Sequence, residues 1–481
     1  MERIPQTLEE AIAIIAEQRA TIADLTAQVA ALTKLVSDLT AKLSQNSGNS
    51  SRPPSTDPPG TKRLPIPRPG SGRKRGGQPG HQKNGREFLA VEDVDKVNKC
   101  YPENCRKCAR SLADGLLLPD FLRHQVTEIP PVKAYTTEHQ LYSVGCPWCN
   151  TITCATLPLG APKGQFGPRL QAIVSMCGGA YRLSKRATVE LLGDWFGVSL
   201  SLGSISNLEQ GTSGAVASPV EEVKRAITAE PIVHADETGW FEKGKRAWLW
   251  VGVTAQMALF MIDGHRSTAS AKRLLGALFG GILVSDRYSA YNWIDAKRRQ
   301  VCWSHLIRDF KSFADRGAEA KALSKQLLAL TYAMFHEWHR VRDGTITRTE
   351  FRRWMDPVEP KIEALLEAGI AIEPVGKKCK SMFKLKVALW TFVRVEGVEP
   401  TNNHAERTVR HAVLWRKGCF GTDSANGSEF VGRILTVVGT LRLQKRNVLE
   451  YLTAACDDAN HQRPTASLLP SAERPQIAQA A

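Results

Sequence analysis

The sequence predicts a multidomain protein with an N-terminal coiled coil, a small β-rich unit built around paired cysteines, a helical region, and an α/β core interrupted by an α-helical insertion. Three observations predict it. Apolar residues repeat every seven positions through residues 8–43, two Cys-x2-Cys pairs follow, and beyond residue 230 the hydrophobic period changes from helical to strand-like and back. At 481 residues the chain exceeds what one core fills, at roughly 100–200 residues per domain.

The first segment, residues 1–45, carries one apolar series through Leu8, Ile15, Ile22, Val29, Val36 and Leu43 and a second through Ala11, Gln18, Leu25, Leu32 and Leu39. Mostly β-branched residues in one series and Leu in the other favour a parallel two-stranded coil, with Gln18 as a polar register mark. The alternative is an amphipathic helix packed on its own domain; the length of the repeat and its polar flanks favour a homodimer. Residues 46–87 then change abruptly to Ser, Asn, Pro and Gly, a composition that cannot bury enough apolar surface to offset its chain entropy. Between Pro58 and Arg86 this linker holds Lys62, Arg63, Arg68, Arg73, Lys74, Arg75, Lys83 and Arg86 with no acidic residue, so it reads as a cationic arm as well as a tether.

Residues 88–156 carry Cys105-x2-Cys108 and Cys146-x2-Cys149, which supply four thiolates with the spacing of a tetrahedral structural Zn²⁺ site. Cys100, Cys154 and His139 are alternative ligands and are read as bystanders. A closed four-thiolate site contributes folding energy to a small β-rich unit and leaves no open position for catalysis. Residues 157–230 turn helical. A helix from Arg182 to Phe196, a break at Gly197-Val198-Ser199 and a second helix from Leu202 capped by Ser201 resemble a helix-turn-helix. A generic helical pair without DNA contact has the same pattern.

Lys and Arg number 64 against 48 Asp and Glu, a net charge of +16, which attracts polyanions and makes nucleic acid the first partner to test. No apolar run approaches the ~18–20 residues of a membrane span, and the start at Met1-Glu2-Arg3-Ile4-Pro5 lacks a secretory apolar stretch. The expectation is a cytoplasmic, nucleoid-associated protein. Eleven Cys, an odd number with several crowded together, argue for metal ligation and reduced thiols over a disulfide framework.

The core begins at residues 231–310. Ile232 to Asp236, Ala247 to Thr254 and Met257 to Ile262 read as three antiparallel strands, the first two joined at Glu242-Lys243-Gly244-Lys245. A helix from Thr268 to Leu278 leads to the apolar strand Gly281 to Asp286. A meander, a helix and a fresh strand, with Asp236 on the first strand and Asp286 on the fourth, is the order of a ribonuclease H fold, in which those strands lie side by side. Two carboxylates that close repel unless a cation neutralises them, and hard oxygen ligands select Mg²⁺ or Mn²⁺. Asp at a strand end also serves ordinary turns, so the pair needs support.

Support comes from Pro400 to Arg410, which reads as a cap followed by a helix bearing Glu406. Glu406 and Arg410 alone would be an ordinary surface pair. The chain resembles the transposases of the insertion-sequence-66 type, of the DDE superfamily, in the stretches Asn46 to Pro54, Gly76 to His81, the paired Cys knuckles, Phe166-Gly167-Pro168-Arg169-Leu170, His234-Ala235-Asp236-Glu237-Thr238, Ser285-Asp286-Arg287-Tyr288, Cys302-Trp303-Ser304-His305 and Asn402-Asn403-His404-Ala405-Glu406-Arg407.

The resemblance implies a catalytic, metal-ligating triad of Asp236, Asp286 and Glu406 with Mg²⁺ or Mn²⁺, acting on double-stranded DNA at the element's ends and at the target. It further implies a helical insertion over residues 311–394, the last part of the core with the Glu helix over 395–455, a tail over 456–481, and accessory proteins encoded by the same element as partners. Arg407, Arg410, Arg416 and Lys417 fall near the implied phosphate path. Cys302-x2-His305 resembles a motif found after the second Asp in such enzymes, with a packed strand end as the preferred reading. Lys445 stands where Gly is usual and Cys419 where Ser is common. The alternatives are a catalytically silent DNA-binding regulator derived from a transposase, and a nuclease of the same fold that never rejoins DNA.

Overall fold

A computed structural model describes residues 7–43, 45–46 and 87–470, so the cationic arm and the end of the tail lie outside the described residues. By contacts the chain divides into residues 62–134 and the remainder. Within the first unit the described residues hold one short 3-10 helix, Val91–Asp93, and an isolated bridge from Asn104 to Ser111. Gln125 fixes its start, with Nε2 donating to the Leu89 carbonyl at 3.0 Å and Oε1 accepting the Leu89 N–H at 2.9 Å.

The larger unit opens with helix α1, Leu8–Leu43, over the residues that the heptads mark. The large apolar residues of its seam are exposed, from 48% at Leu39 to 85% at Leu43. Strands β1 (Ser143–Gly145) and β2 (Ile152–Cys154) form an antiparallel hairpin of three paired residues. The β-rich expectation for residues 88–156 is therefore not met: among the described residues regular β structure there is confined to this hairpin and the isolated bridge. The physical reason is burial. No side chain in this stretch is buried, so an alternating strand has no core to face.

Four helices follow: α2 (Pro168–Gly179), α3 (Lys185–Phe196), α4 (Leu202–Ala215) and α5 (Ala217–Ala229). The expected break is a left-handed cap: Gly197 has φ 66°, and its N–H and that of Val198 return to the carbonyls of Gly193 and Leu192. Ser201 caps α4 by accepting the Ser204 N–H, as the sequence suggests. Val174, Leu192, Leu200 and Ile205 form a small core beneath the turn.

A five-stranded sheet then assembles in the order β5-β4-β3-β6-β7. Strands β3 (Ile232–Glu242), β4 (Lys245–Val253) and β5 (Ala258–Asp263) are the expected antiparallel meander. Lys243 at φ 51° and Gly244 at φ 71° make the two-residue turn between β3 and β4, in which both central residues are left-handed. Strand β3 continues six residues beyond Asp236, longer than periodicity alone suggests, because it pairs with β4 to the hairpin tip. Helix α6 (Thr268–Leu275) stops at Gly276, φ 87°, before the expected Leu278. It leads to β6 (Ile282–Ser285), parallel to β3, and β7 (Arg299–Val301), parallel to β6.

Between β7 and the last part of the sheet packing lie α7 (Trp303–Phe313), α8 (Ala318–Arg342), α9 (Arg348–Met355), α10 (Val358–Ala368), α11 (Gly376–Lys384) and α12 (Thr391–Arg394). They enclose a separate apolar core with Trp303, Phe310, Trp338, Phe351, Trp390 and Phe392. This segment also covers one sheet edge: Thr391 Oγ1 donates to the Arg299 carbonyl at 2.5 Å, and Gln300 Oε1 accepts the Phe392 N–H at 2.8 Å.

Helices α13 (Asn403–Cys419), α14 (Ala425–Leu443) and α15 (Val448–Asn460) complete the regular structure of the described residues. Helix α14 shields the other edge. Thr436 Oγ1 accepts the Phe260 N–H at 2.9 Å, and Thr440 Oγ1 accepts the Ala258 N–H at 3.1 Å, so the outer backbone groups of β5 are satisfied by hydroxyls. Gly439 permits this approach, since a Cβ there would lie 3.1 Å from that of Ala258. Lys445 adopts φ 55°, the conformation that a glycine would take without strain.

Candidate active site

Asp236 and Asp286 are brought together by strand register. Strands β3 and β6 pair Ile232 with Ile282, Val233 with Leu283 and His234 with Val284, so Asp236 and Asp286 each lie two residues past the last pair, near enough for the charge of Asp286 to act on Asp236. In a parallel pair, residues in register share one face of the sheet. Each aspartate is steadied by backbone on one oxygen: Asp236 Oδ1 accepts the Glu237 N–H and Asp286 Oδ1 the Tyr288 N–H, both at 2.9 Å. Neither second oxygen has a hydrogen-bond donor among the described residues.

Glu406 arrives on the first turn of α13. Asn402 directly precedes this helix, and its side chain makes no cap. Its amide instead crosses to β3, with Nδ2 donating to the Ala235 carbonyl at 2.8 Å. That orientation leaves Oδ1 to accept from His234 Nδ1 at 3.2 Å, which fixes the neutral ring with its proton on Nδ1. The Asn402 N–H donates to Cys302 Sγ at 3.2 Å, and the Trp303 N–H to the Pro400 carbonyl at 2.9 Å. The approach to Glu406 is thus tied to β3 and to the start of α7.

Electrostatics register the convergence. The Asp236 carboxyl is held well above the usual carboxylate range by burial and by the negative charges of Glu237, Asp286 and Glu406. Such a cluster favours either a proton or a cation. Arg299, almost fully buried, donates to the Asp286 carbonyl at 3.2 Å and to Asn292 Oδ1 at 2.9 Å, bringing one positive charge behind the second aspartate. Burial and the charge of Asp286 also raise the Glu237 carboxyl, which is held by Arg266 at 2.7 Å and by the Tyr291 hydroxyl at 2.6 Å. The Arg266 guanidinium lies over Tyr288 at 3.9 Å and Trp248 at 4.8 Å from their ring centres.

Residues that the sequence leaves without a role therefore matter here. Glu237 has one sequence signal, an acid beside Asp236 on a strand, and alternation turns it to the opposite face. Asn402 reads locally as a cap, and only the packing of α13 on β3 reveals its partners. Cys302 and His305 form more than a packed strand end: Cys302 Sγ and His305 Nδ1 lie 3.9 and 3.6 Å from Glu406 Oε1.

Basic side chains divide into two kinds. Arg407, Arg410 and Lys417 are exposed along α13, whereas Arg416 is half-buried and donates to the Gly239 carbonyl and to Thr238 Oγ1, fastening α13 to β3. Helix α4 carries no Lys or Arg, and its Ile205, Glu209, Thr212 and Ser213 are buried.

The cysteine pairs fall in different units, and each makes the same local turn. In one, the Ala109 N–H returns to the Cys105 carbonyl at 2.8 Å, with Ala109 at φ 59°. In the other, the Asn150 N–H returns to the Cys146 carbonyl at 2.9 Å, with Asn150 at φ 56°. Hydrogen bonds around the turns lower the Cys105 thiol, chiefly from the backbone of Cys108 and Lys107, and the Cys149 thiol, chiefly from the Thr151 hydroxyl. Cys100, Cys154 and His139 are exposed, and Cys154 Sγ lies 2.7 Å from Ser143 Oγ.

The chain is similar to the uncharacterized protein y4hP of Sinorhizobium fredii (strain NBRC 101917 / NGR234), with 24% identity over 390 residues, 71% of this chain and 68% of that protein. Residues 3–87 match a family of unknown function, DUF6444. Residues 163–429, more than half of the chain and including all three acids, match the Transposase IS66 family, and the chain belongs to that family.

Proposed function

We propose that this chain is a DDE transposase with a ribonuclease H-like core, in which Asp236, Asp286 and Glu406 hold Mg²⁺ or Mn²⁺ to cut and join DNA. The observation that carries this reading is the β3–β6 pairing that brings Asp236 and Asp286 to the same end of the sheet, each with one oxygen held by backbone, in a chain of the IS66 transposase family. Crowded carboxylate oxygens with unused acceptor positions fit a hard divalent cation. When bound, such ions activate the attacking oxygen and stabilise the leaving one.

The chain's own residues supply position and field. Backbone N–H groups orient one oxygen of each aspartate, leaving the other turned to ligand. Asn402 sets the height of Glu406 against β3. The exposed Arg407, Arg410 and Lys417 offer phosphate contacts that position DNA without reading its sequence. Water attacks a phosphodiester at the element's end, the P–O3′ bond breaks, and the 3′ oxygen takes a proton. That 3′-OH then attacks a target phosphorus and displaces its 3′ oxygen, so no covalent link to protein forms.

The remaining segments complete the reading. Cys105, Cys108, Cys146 and Cys149 hold a structural Zn²⁺, each pair contributing a knuckle. The exposed seam of α1 joins two copies as a coiled coil, holding two DNA ends together. Residues 157–230 and the cationic arm recognise the terminal repeats, in a nucleoid-associated protein that accessory proteins of the same element assist.

The test is a purified reaction with the element's terminal repeats, a supercoiled target and Mg²⁺. Joined product is the expected result. Cleavage without joining would make the chain a nuclease, and binding without cleavage a silent regulator.

A further inference from the structure

Two helix starts meet beside the carboxylate cluster. Cys302 is the N-cap of α7 and His305 lies one turn on, with the His305 N–H returning to the Cys302 carbonyl at 3.2 Å, so both side chains project to one side. Glu406 stands on the first turn of α13, and the bond from the Asn402 N–H to Cys302 Sγ holds the two starts together. One sulfur, one ring nitrogen and one carboxylate oxygen thereby lie within 4.8 Å of one another. His305 Nδ1 is buried with no hydrogen-bond partner among the described residues. Arg308 approaches the other oxygen of Glu406, Oε2, at 3.7 Å and leaves Oε1 toward the sulfur and the nitrogen.

The donor set is chemically distinct from that of the catalytic reading. Thiolate and imidazole suit zinc-class ions and are poor partners for Mg²⁺, which takes oxygen. Zinc bonds of ~2.0–2.3 Å at tetrahedral angles put ligand atoms roughly 3.3–3.8 Å apart. The separations of 3.6 Å from His305 Nδ1 and 3.9 Å from Cys302 Sγ to Glu406 Oε1 come close to that without rearrangement of the backbone.

We propose that Cys302, His305 and Glu406 form a site for one zinc-class cation, with a fourth position open to water, and that its occupation withdraws Glu406 from the pair of aspartates. Zinc is then an inhibitor of the Mg²⁺-supported reaction. This consequence rests on Glu406 being the third acid, whereas cation binding does not.

The test is a cobalt titration of the full-length protein followed by absorbance, comparing the parent with His305→Ala, Glu406→Ala and Cys302→Ser. The cysteine knuckles are present in every sample and cancel in the difference. His305→Ala and Glu406→Ala should each lose one bound equivalent of Co²⁺, and Cys302→Ser should lose the corresponding sulfur-to-cobalt absorption. Circular dichroism identifies a misfolded variant, and the more exposed His305 provides the decisive substitution if Cys302→Ser fails to fold. Equal stoichiometry and equal spectra in parent and folded variants overturn the proposal. Asp236→Asn should keep this cobalt; losing it there would move the ion to the aspartates and also overturn the site. Failure of the catalytic reading, by contrast, would show as DNA cleavage surviving in Asp236→Asn with the cobalt result unchanged.

Discussion

Asn402 donates its amide to the carbonyl oxygen of Ala235 at 2.8 Å, so the residue that starts the Glu406 helix is bonded to the residue that precedes Asp236. Two acids separated by the whole insertion are thereby linked through one side chain. The same amide accepts from His234, and its backbone N–H reaches Cys302.

Asn402→Ala should cost about 2–3 kcal/mol, because it leaves the Ala235 carbonyl and His234 Nδ1 buried without partners. End cleavage should fall about 10²-fold as Glu406 loses its reference to β3. Urea unfolding and single-turnover cleavage check both, with the exposed neighbour variant Asn403→Ala expected within ~0.5 kcal/mol of the parent.

Asp236→Asn should raise the thermal midpoint of the metal-free protein. The Asp236 carboxyl is raised above its unfolded value by burial and by neighbouring acids, so its ionisation at neutral pH destabilises the fold. Added Mg²⁺ should stabilise the parent and leave the variant almost unmoved, which differential scanning fluorimetry can read.

Acid should destabilise the protein through His234. Burial, then the charge of His404, lowers its pKa from 6.5 to about 4. The unfolded chain therefore binds the proton first, and stability present above pH 6.5 is lost as pH falls toward 4. The full effect is about 3 kcal/mol at 1.36 kcal/mol per unit. Unfolding midpoints across this window should fall less steeply in His234→Gln.

The basic residues of α13 should separate by assay. Arg407→Ala, Arg410→Ala and Lys417→Ala should each lower the salt dependence of DNA binding by roughly one phosphate contact. Arg416→Ala should instead lower stability by about 1–3 kcal/mol, because the Gly239 carbonyl loses its donor. At the far end, Lys445→Gly should gain about 1 kcal/mol by relieving a left-handed lysine.

Much of the architecture is legible in local pattern. Heptads mark α1, Ser201 and Gly197 mark the ends of α4 and α3, and alternation with a Lys243-Gly244 turn marks the β3–β4 hairpin. Asp236 and Asp286 read alike in the sequence, each closing an apolar run, although β3 continues six residues past Asp236 while β6 ends at Ser285. What the sequence hides depends on contacts between distant segments. Asn402 has the chemistry of a helix cap and is used for something else, Arg416, which the resemblance sets near the phosphate path, is a fastener, and Cys302 meets Glu406 only because α7 and α13 start together. The β-rich expectation around the cysteine pairs fails for a related reason: thiol spacing reports knuckles, and knuckles need no sheet.

The central claim is that three carboxylates act as one unit on DNA. Single-turnover cleavage of end DNA in Mg²⁺, measured for Asp236→Asn, Asp286→Asn and Glu406→Gln beside the parent, tests it most directly. Each substitution should abolish cleavage while leaving DNA affinity within about twofold of the parent, a difference under ~0.5 kcal/mol. Parent-like cleavage by any one of the three folded variants would contradict it.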